Sequence, residues 1–207
     1  GGLFNVMVTS MVGCAQPMAL SFPFERPVFM KEHTNGLYDV VPYFLSKFFV
    51  EIPVVMCQTL LGVSISYLLM ALQSQFLMLW TANFLLGIAS ASIAIMLGCI
   101  ANRVSDAVEL FPLAFIPQLV LGGFLIQMDQ VPKFLRWVKW ICPLKMAGNL
   151  CLLTEFREDT PANNQTLSDN SVTRGKEWLY ATILIVMIVV FRTTGALILK
   201  RKAAHFM

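Results

Sequence analysis

The sequence predicts an all-α transmembrane protein, a polytopic helical bundle with five spans. Of its 207 residues, 57% are hydrophobic and 13% are charged, whereas a soluble domain carries about 25% charged residues. A bilayer core about 30 Å thick needs about 20 apolar residues in a helix. Four of the five apolar runs reach that length, and the run at 110–127 falls slightly short. The runs are residues 3–24, 40–72, 76–100, 110–127 and 178–199. Residues 1–207 are therefore expected to form a single transmembrane domain.

The first span is expected to leave the membrane near Pro23, where prolines and charged residues come together. Pro27 suits the first turn of a helix, and Asn35 with Gly36 suits its end. We therefore predict a short, separate surface helix over residues 27–34, inside a polar loop of residues 25–39.

The second span is too long for one straight crossing, and Pro53 is expected to kink it. Lys47 and Glu51 lie four residues apart near its start, on one helix face. Charged groups are costly in lipid unless they are paired or face protein. The third span is rich in small residues, which permit close helix packing. They are Gly87, Ala89, Ser90, Ala91, Ser92 and Gly98.

Residues 101–109 are predicted to form a polar loop before the fourth span. That span contains Pro112 and Pro117, and Gly122-Gly123 near its far end suggests a break or a close contact. In the fifth span, Arg192 is interpreted as snorkelling or bonding to another helix in preference to contacting substrate.

Residues 129–176 form the longest segment outside the spans. Its first part has apolar residues at helical spacing and tryptophans that suit a membrane boundary, and a second helix is predicted over 144–156. We therefore predict a re-entrant or interfacial helical pair. A flexible polar loop over 157–175 follows, and Asn164 begins an N-glycosylation pattern there. Cys142 and Cys151 form a disulfide with each other or with a partner chain, or remain two buried free thiols; the sequence leaves these alternatives open.

Five spans place the 25–39 loop, the Arg103 segment and the basic tail at 200–202 on one side, and residues 129–176 on the other. Basic residues number six on the first side and seven on the second, so their count does not decide the orientation. Because the positive-inside rule is strongest for short loops and residues beside spans, we predict that the first side is cytosolic.

Several function classes are disfavoured by what the sequence lacks. It has no clustered basic face for nucleic acid, and no Cys-x-x-Cys or Cys/His cluster for a metal. Its two histidines, His33 and His205, lie in a loop and the tail, which argues against a membrane enzyme. The spans hold few polar groups of the kind that an ion channel needs. No Gly-x-x-x-x-Gly-Lys-Ser/Thr loop occurs, so ATP is not expected to bind these residues.

Two groups of motifs together resemble a known membrane domain. The first group reads FERPVFMKE at 24–32, GLY at 36–38, YFLSK at 43–47 and EIP at 51–53. The second reads GGFL at 122–125, VPKFLRW at 131–137, CP at 142–143 and EF at 155–156. Taken in order, they resemble the ABC-2 type membrane domain of the G subfamily of ATP-binding cassette transporters, the white/scarlet and pleiotropic-drug-resistance group.

The resemblance implies that this chain is a piece of a larger protein, in which a further first helix and a nucleotide-binding domain precede it. ATP and Mg²⁺ would bind to that domain, and the chain itself would have no cofactor and no ATPase activity. A second transmembrane half would complete a homodimer or heterodimer in the lipids of a eukaryotic plasma membrane. The function implied is export of lipid, sterol or other amphipathic substrates by alternating access. The alternatives are another ABC-2 type exporter, for polysaccharide or small solutes, and an ion channel or carrier, which the apolar spans disfavour.

The resemblance also implies roles for individual residues. The helix at 27–34 would be the coupling helix, with Arg26, Lys31 and Glu32 contacting the nucleotide-binding domain. Lys47 and Glu51 would form a polar relay, with a purely structural ion pair as the alternative.

A substrate cavity and an extracellular plug are implied as well. The plug would consist of Phe124 and Leu125. An aromatic clamp in multidrug members is replaced here by Gly13, which argues against stacking of flat polyaromatic drugs. Ordinary helix packing is the alternative for all of the cavity residues. They are Val6, Thr9, Ser10, Gly13, Ile116 and Leu119.

Overall fold

The computed structural model describes residues 2–70, 75–101, 103–122, 142–155, 175 and 177–204. These residues form six α-helices. Within them, four helices (α1, α2, α3 and α6) are long and apolar enough to cross a membrane. The prediction of an all-helical membrane bundle is therefore confirmed, whereas the count of five spans is not. The helices are α1 (Gly2–Thr34), α2 (Val40–Met70), α3 (Phe76–Ile100), α4 (Val104–Leu121), α5 (Pro143–Glu155) and α6 (Glu177–Ala204).

Helix α3 lies at the centre of the bundle and contacts each of the other five helices. Its residues 86–95 are all buried. A Cβ atom at Gly87 would lie 2.9 Å from Val55 Cγ1 and 3.0 Å from Cys14 Sγ. One at Gly98 would lie 2.8 Å from Phe22 Cδ1. The small residues of this span thus allow α1 and α2 to approach its backbone closely, as the sequence predicted.

The prediction of a separate surface helix at 27–34 is wrong, because α1 runs without interruption from Gly2 to Thr34 with three prolines inside it. The Phe29 side chain is only 1% exposed, and its ring centroid lies 4.4 Å from that of Tyr43. This packing holds the C-terminal part of α1 against the bundle in line with its span. The predicted end at Asn35-Gly36 is confirmed: Gly36 has φ of +74° and its N–H donates to the carbonyl of His33 at 3.0 Å.

The predicted loop at 101–109 is also wrong in part, because α4 already begins at Val104. The backbone N–H of Arg103 donates to Asp106 Oδ2 at 3.1 Å, so a polar residue expected in a loop instead stabilises a helix start. At the other end of α4, a Cβ atom at Gly122 would lie 3.0 Å from Leu144 Cδ2, which is the close contact that was predicted there.

Helix α5 agrees with the helix predicted over 144–156, and Pro143 occupies its first position. The first helix of the predicted re-entrant pair and the loop containing Asn164 lie outside the described residues. So do the predicted plug residues, Phe124 and Leu125.

Three segments that are distant in sequence meet at one end of the bundle. Arg26 donates a hydrogen bond to the carbonyl of Ala101, and Lys202 donates to the carbonyl of Ile100 at 2.5 Å. The loop after α1, the Arg103 segment and the basic tail therefore share an end, as the sequence predicted. We call it the charged end, comprising residues 25–39, 103–106 and 200–202.

Close packing at Gly87 is testable by substitution. Gly87→Ala should lower the stability of the full-length protein by about 1–3 kcal/mol, because the new methyl group meets side chains of two other helices. Gly62→Ala is the matched control, since nothing lies within 4 Å of a Cβ atom there. It should be neutral or slightly stabilising. Thermal unfolding of the purified protein measures both, and equal shifts would contradict the packing described for α3.

Candidate functional site

A buried ion pair joins two helices through the centre of the bundle. Glu51 of α2 pairs with Arg192 of α6, and their side chains are only 2% and 11% exposed. The Nε of Arg192 also donates to Ser92 Oγ of α3 at 3.0 Å, and its guanidinium carbon lies 4.9 Å from the Phe48 ring centroid. Arg192 thus makes the interhelical bond that was one of its predicted roles. Because an unpaired charge inside a membrane is costly, each member of the pair stabilises the other.

Lys47, one turn before Glu51 on α2, pairs with a different helix. Its ammonium group forms an ion pair with Glu25 of α1 and lies 5.3 Å from the Phe22 ring centroid. The hydroxyl of Tyr43 donates to the same Glu25 carboxylate at 3.3 Å. The two predicted relay residues therefore connect α2 to α1 through Lys47, and to α6 through Glu51.

An open groove of about 580 Å³ follows one face of α1 at the charged end. Arg26 and Lys31, two of the three predicted coupling residues, line this groove, and Lys31 is exposed. The groove residues recur at the three- and four-residue spacing of a single helix face. They are Pro23, Arg26, Pro27, Met30, Lys31, Thr34 and Asn35.

Glu32, the third predicted coupling residue, points toward the turn between α1 and α2. Its carboxylate accepts a hydrogen bond from the Tyr38 hydroxyl, and this bond raises the pKa of Tyr38 above its ordinary value. Because Tyr38 lies just before α2, the contact ties the end of α1 to the start of the next helix.

The six predicted cavity residues fall into two groups. On α1, Val6, Thr9 and Ser10 line a small cavity of about 90 Å³ between α1 and α2, and Gly13 lies one turn further along. On α4, Ile116 is 57% exposed, and Leu119 packs partly against the core.

Sequence reasoning missed several residues of these sites. Ser92 bonds to Arg192, while Asn5, Gly62 and Ser66 line the small cavity. The sequence held a signal for part of this set, since Gln58, Gly62 and Ser66 recur every four residues and so share one helix face. No comparable signal marked Ser92 as the partner of an arginine 100 residues away.

All five cysteines lie in the described residues and are free thiols, including the buried Cys142 and Cys151. Of the alternatives left open by the sequence, the structure therefore has two buried free thiols. Across the described ranges, no group of three or more His, Cys, Asp or Glu side chains is placed to hold a metal ion.

Within the described residues, the bundle has helices long enough to cross a membrane, small residues along its central helix, and buried charges that pair between helices. These features define a polytopic membrane domain. The sequence matches the ABC-2 type transporter family over residues 1–156, and the chain belongs to that family. It is therefore the membrane part of a transporter of this type.

Curated relatives carry the names of the G subfamily, which confirms the resemblance seen in the motifs. Protein white of Drosophila melanogaster is 28% identical over 153 residues, covering 72% of this chain and 22% of the relative. Protein white of Ceratitis capitata is 27% identical over 199 residues, covering 88% and 29%. ABC transporter G family member 42 of Oryza sativa subsp. japonica is 29% identical over 180 residues, covering 79% and 11%. The chain thus spans less than a third of the length of these relatives.

The buried ion pair predicts strong non-additivity between substitutions. Glu51→Leu or Arg192→Leu alone should destabilise the full-length protein by about 3–5 kcal/mol, because each leaves a buried charge without its partner. The double variant should lose less stability than either single variant, because no buried charge remains without a partner. Thermal unfolding of the purified variants measures this coupling.

Lys47→Ala is the control for that cycle: Lys47 is only 12% exposed, but its partner Glu25 is 47% exposed, so water can reach the carboxylate that is left behind. Its effect on stability should be clearly smaller than that of Glu51→Leu or Arg192→Leu. A double variant whose loss equals the sum of the two single losses would contradict a coupled buried pair.

Proposed function

We propose that this chain forms one half of a dimeric translocation path in an ATP-driven exporter of lipid, sterol or other amphipathic substrates. The observation that carries the proposal is the continuity of α1, which extends from the small cavity to the groove at the charged end. A single helix thereby joins a surface for a driving partner to a surface for cargo. Alternating access requires such a connection, since one side of the path must close as the other opens.

The groove beside Arg26 and Lys31 is the proposed contact with a nucleotide-binding domain of the same or a partner polypeptide. ATP and Mg²⁺ would bind to that domain and supply the driving reaction. Lys31 is exposed and can meet an acidic surface. Arg26 contacts the carbonyl of Ala101, so a force on the groove would also reach the end of α3. Glu32 would act indirectly, by keeping the turn before α2 attached to α1.

The paired charges are the proposed polar relay from the groove into the bundle. Glu25 and Lys47 connect α1 to α2, and one turn further along α2, Glu51 contacts Arg192. Arg192 in turn contacts Ser92 on α3. A tilt of the α1 extension would therefore be resisted or transmitted by contacts with three other helices.

The proposed substrate path uses the exposed side of α1 and α4 that bears Thr9 and Ile116. Gly13 and Leu119 would complete its wall in this half, with the buried Val6 and Ser10 behind it at the small cavity, and a second half would face it. The largely apolar wall suits amphipathic cargo. Phe124 and Leu125 would form the plug, and Asn164 would carry a glycan on the extracellular side of a eukaryotic plasma membrane.

Charge reversal in the groove tests this function in the full-length protein reconstituted in proteoliposomes. ATP-dependent transfer of the fluorescent sterol dehydroergosterol is measured for the parent protein and for Lys31→Glu. We expect the transfer rate of Lys31→Glu to fall by roughly tenfold, which corresponds to about 1.4 kcal/mol, because the new charge repels an acidic partner surface.

Lys200→Glu is the matched control, since Lys200 is also an exposed lysine at the charged end but does not line the groove. It should transfer the sterol at the parent rate. Equal losses in both variants would contradict the groove as the coupling surface. Transfer that proceeds without ATP in the parent protein would contradict the exporter itself.

A further inference from the structure

The carbonyl end of α3 receives two positive side chains from two other helices. The last carbonyl groups of a helix have no partner inside that helix. At the end of α3, the carbonyl of Ile100 accepts a hydrogen bond from Lys202 Nζ of α6 at 2.5 Å. The next carbonyl, that of Ala101, accepts one from the Arg26 guanidinium of α1 and lies 3.5 Å from Lys202 Nζ. One carbonyl oxygen is therefore shared by two cations that come from different helices.

Both cations extend from a single packed cluster. On α1, Arg26 lies between Phe22 and Phe29, whose side chains are fully buried. On α6, Leu199 precedes Lys202 by three residues and is fully buried in the same cluster. Because this packing fixes both helices against α3, the two cations reach the end of α3 from defined positions.

Helix α6 is attached to α3 at more than one level. Deeper in the bundle, Arg192 Nε donates to Ser92 Oγ at 3.0 Å. Closer to the charged end, a Cβ atom at Gly195 would lie 3.5 Å from the Cα atom of Met96, so the two backbones approach closely. The bonds of Lys202 add a third attachment at the end of α3. Lys202 thus belongs to a fixed pair of helices, to which α1 is linked at the charged end by Arg26.

Arg26 has more hydrogen-bond donors than its bond to α3 uses. A guanidinium group carries five N–H donors in a fixed, planar fork. Within the described part of the chain, Arg26 donates to the carbonyl of Ala101 alone. Arg26 also lines the open groove beside Lys31. Its remaining donors can therefore bind a carboxylate that a partner presents in the groove.

The position of Lys202 limits how Arg26 can bond to α3. Without Lys202, the neighbouring carbonyls of Ile100 and Ala101 would both accept bonds from the guanidinium fork. The negative end of the α3 dipole would favour this second bond, which would draw the guanidinium away from the groove. With Lys202 in place, the Ile100 carbonyl is occupied, and a second positive charge opposes a closer approach of Arg26.

We propose that Lys202 is a positioning residue for Arg26. By occupying the end of α3, it keeps the Arg26 guanidinium directed to the groove, where that group binds a carboxylate of the driving partner. The proposal rests on the proposed function, in which this partner is a nucleotide-binding domain. It gives a role in coupling to a residue of the tail that does not line the groove. If Lys202 only capped α3, the effects of Lys202 and Arg26 would be independent.

A double-mutant cycle in the full-length protein tests this role. ATP-dependent transfer of dehydroergosterol in proteoliposomes is measured for Lys202→Met, Arg26→Met and the double variant. Lys202→Met should lower the maximal transfer rate by roughly three- to tenfold, the effect of one lost hydrogen bond. The KM for ATP should not change, because ATP binds elsewhere. The double variant should be no slower than Arg26→Met alone. Losses that multiply in the double variant would overturn the positioning role.

Two matched variants separate positioning from a general effect of the tail. Lys202→Arg should transfer the sterol close to the parent rate, since arginine still donates to the Ile100 carbonyl. Lys200→Met should do the same, because Lys200 is an exposed lysine of the same tail. A loss in Lys202→Arg as large as in Lys202→Met, or equal losses in Lys200→Met and Lys202→Met, would overturn the proposal.

Hydrogen–deuterium exchange without ATP distinguishes this inference from the proposed function. Exchange of residues 26–34 should rise by the same factor in Lys202→Met, in Arg26→Met and in the double variant, and Lys200→Met should leave it unchanged. Increases that multiply, in a protein with ATP-dependent transfer, would overturn the positioning role and leave the exporter standing. Equal increases in a protein without ATP-dependent transfer would support the positioning role and contradict the exporter.

Discussion

The ion pair between Glu51 and Arg192 is the constraint on which the rest of the bundle depends. Lipid offers neither charge a partner, so α2 and α6 must stay together. Because Arg192 also bonds to Ser92, both helices are held beside α3 at the same depth. The small residues of α3 then allow α1 and α2 to close around that helix. A polar contact sets which helices are neighbours, and apolar packing supplies the remaining contacts.

The charged end shows how a surface helix segment can become part of a membrane bundle. Phe22 and Phe29 are fully buried in a second apolar cluster with residues of α2, α3 and α6. The ion pair of Glu25 and Lys47 lies beside this cluster. The last turns of α1 therefore move with the span that precedes them. This rigidity is what makes the groove at Lys31 suited to receiving force from a partner, as we propose.

Much of the fold follows from the lengths of apolar runs, because a membrane span must satisfy its own backbone hydrogen bonds and so becomes a helix. The third span was predicted at its observed bounds, residues 76–100. The break at Pro27 was predicted wrongly, because burial of Phe29 outweighs the local signal of the prolines. Helical spacing shows which residues share a face but not which helices meet. The pairing of Glu51 with Arg192, 141 residues apart, therefore emerged only in the structure.

The most direct test of the whole interpretation is to measure on which side of the membrane each end of the bundle lies. The full-length protein, with the exposed Cys57 changed to serine, receives a single new cysteine by Lys31→Cys or Gly175→Cys. Cells are treated with a membrane-impermeant maleimide before and after permeabilisation. We expect Gly175→Cys to react in intact cells and Lys31→Cys to react only after permeabilisation. Reaction of both cysteines from the same side, or of Lys31→Cys alone in intact cells, would contradict the arrangement.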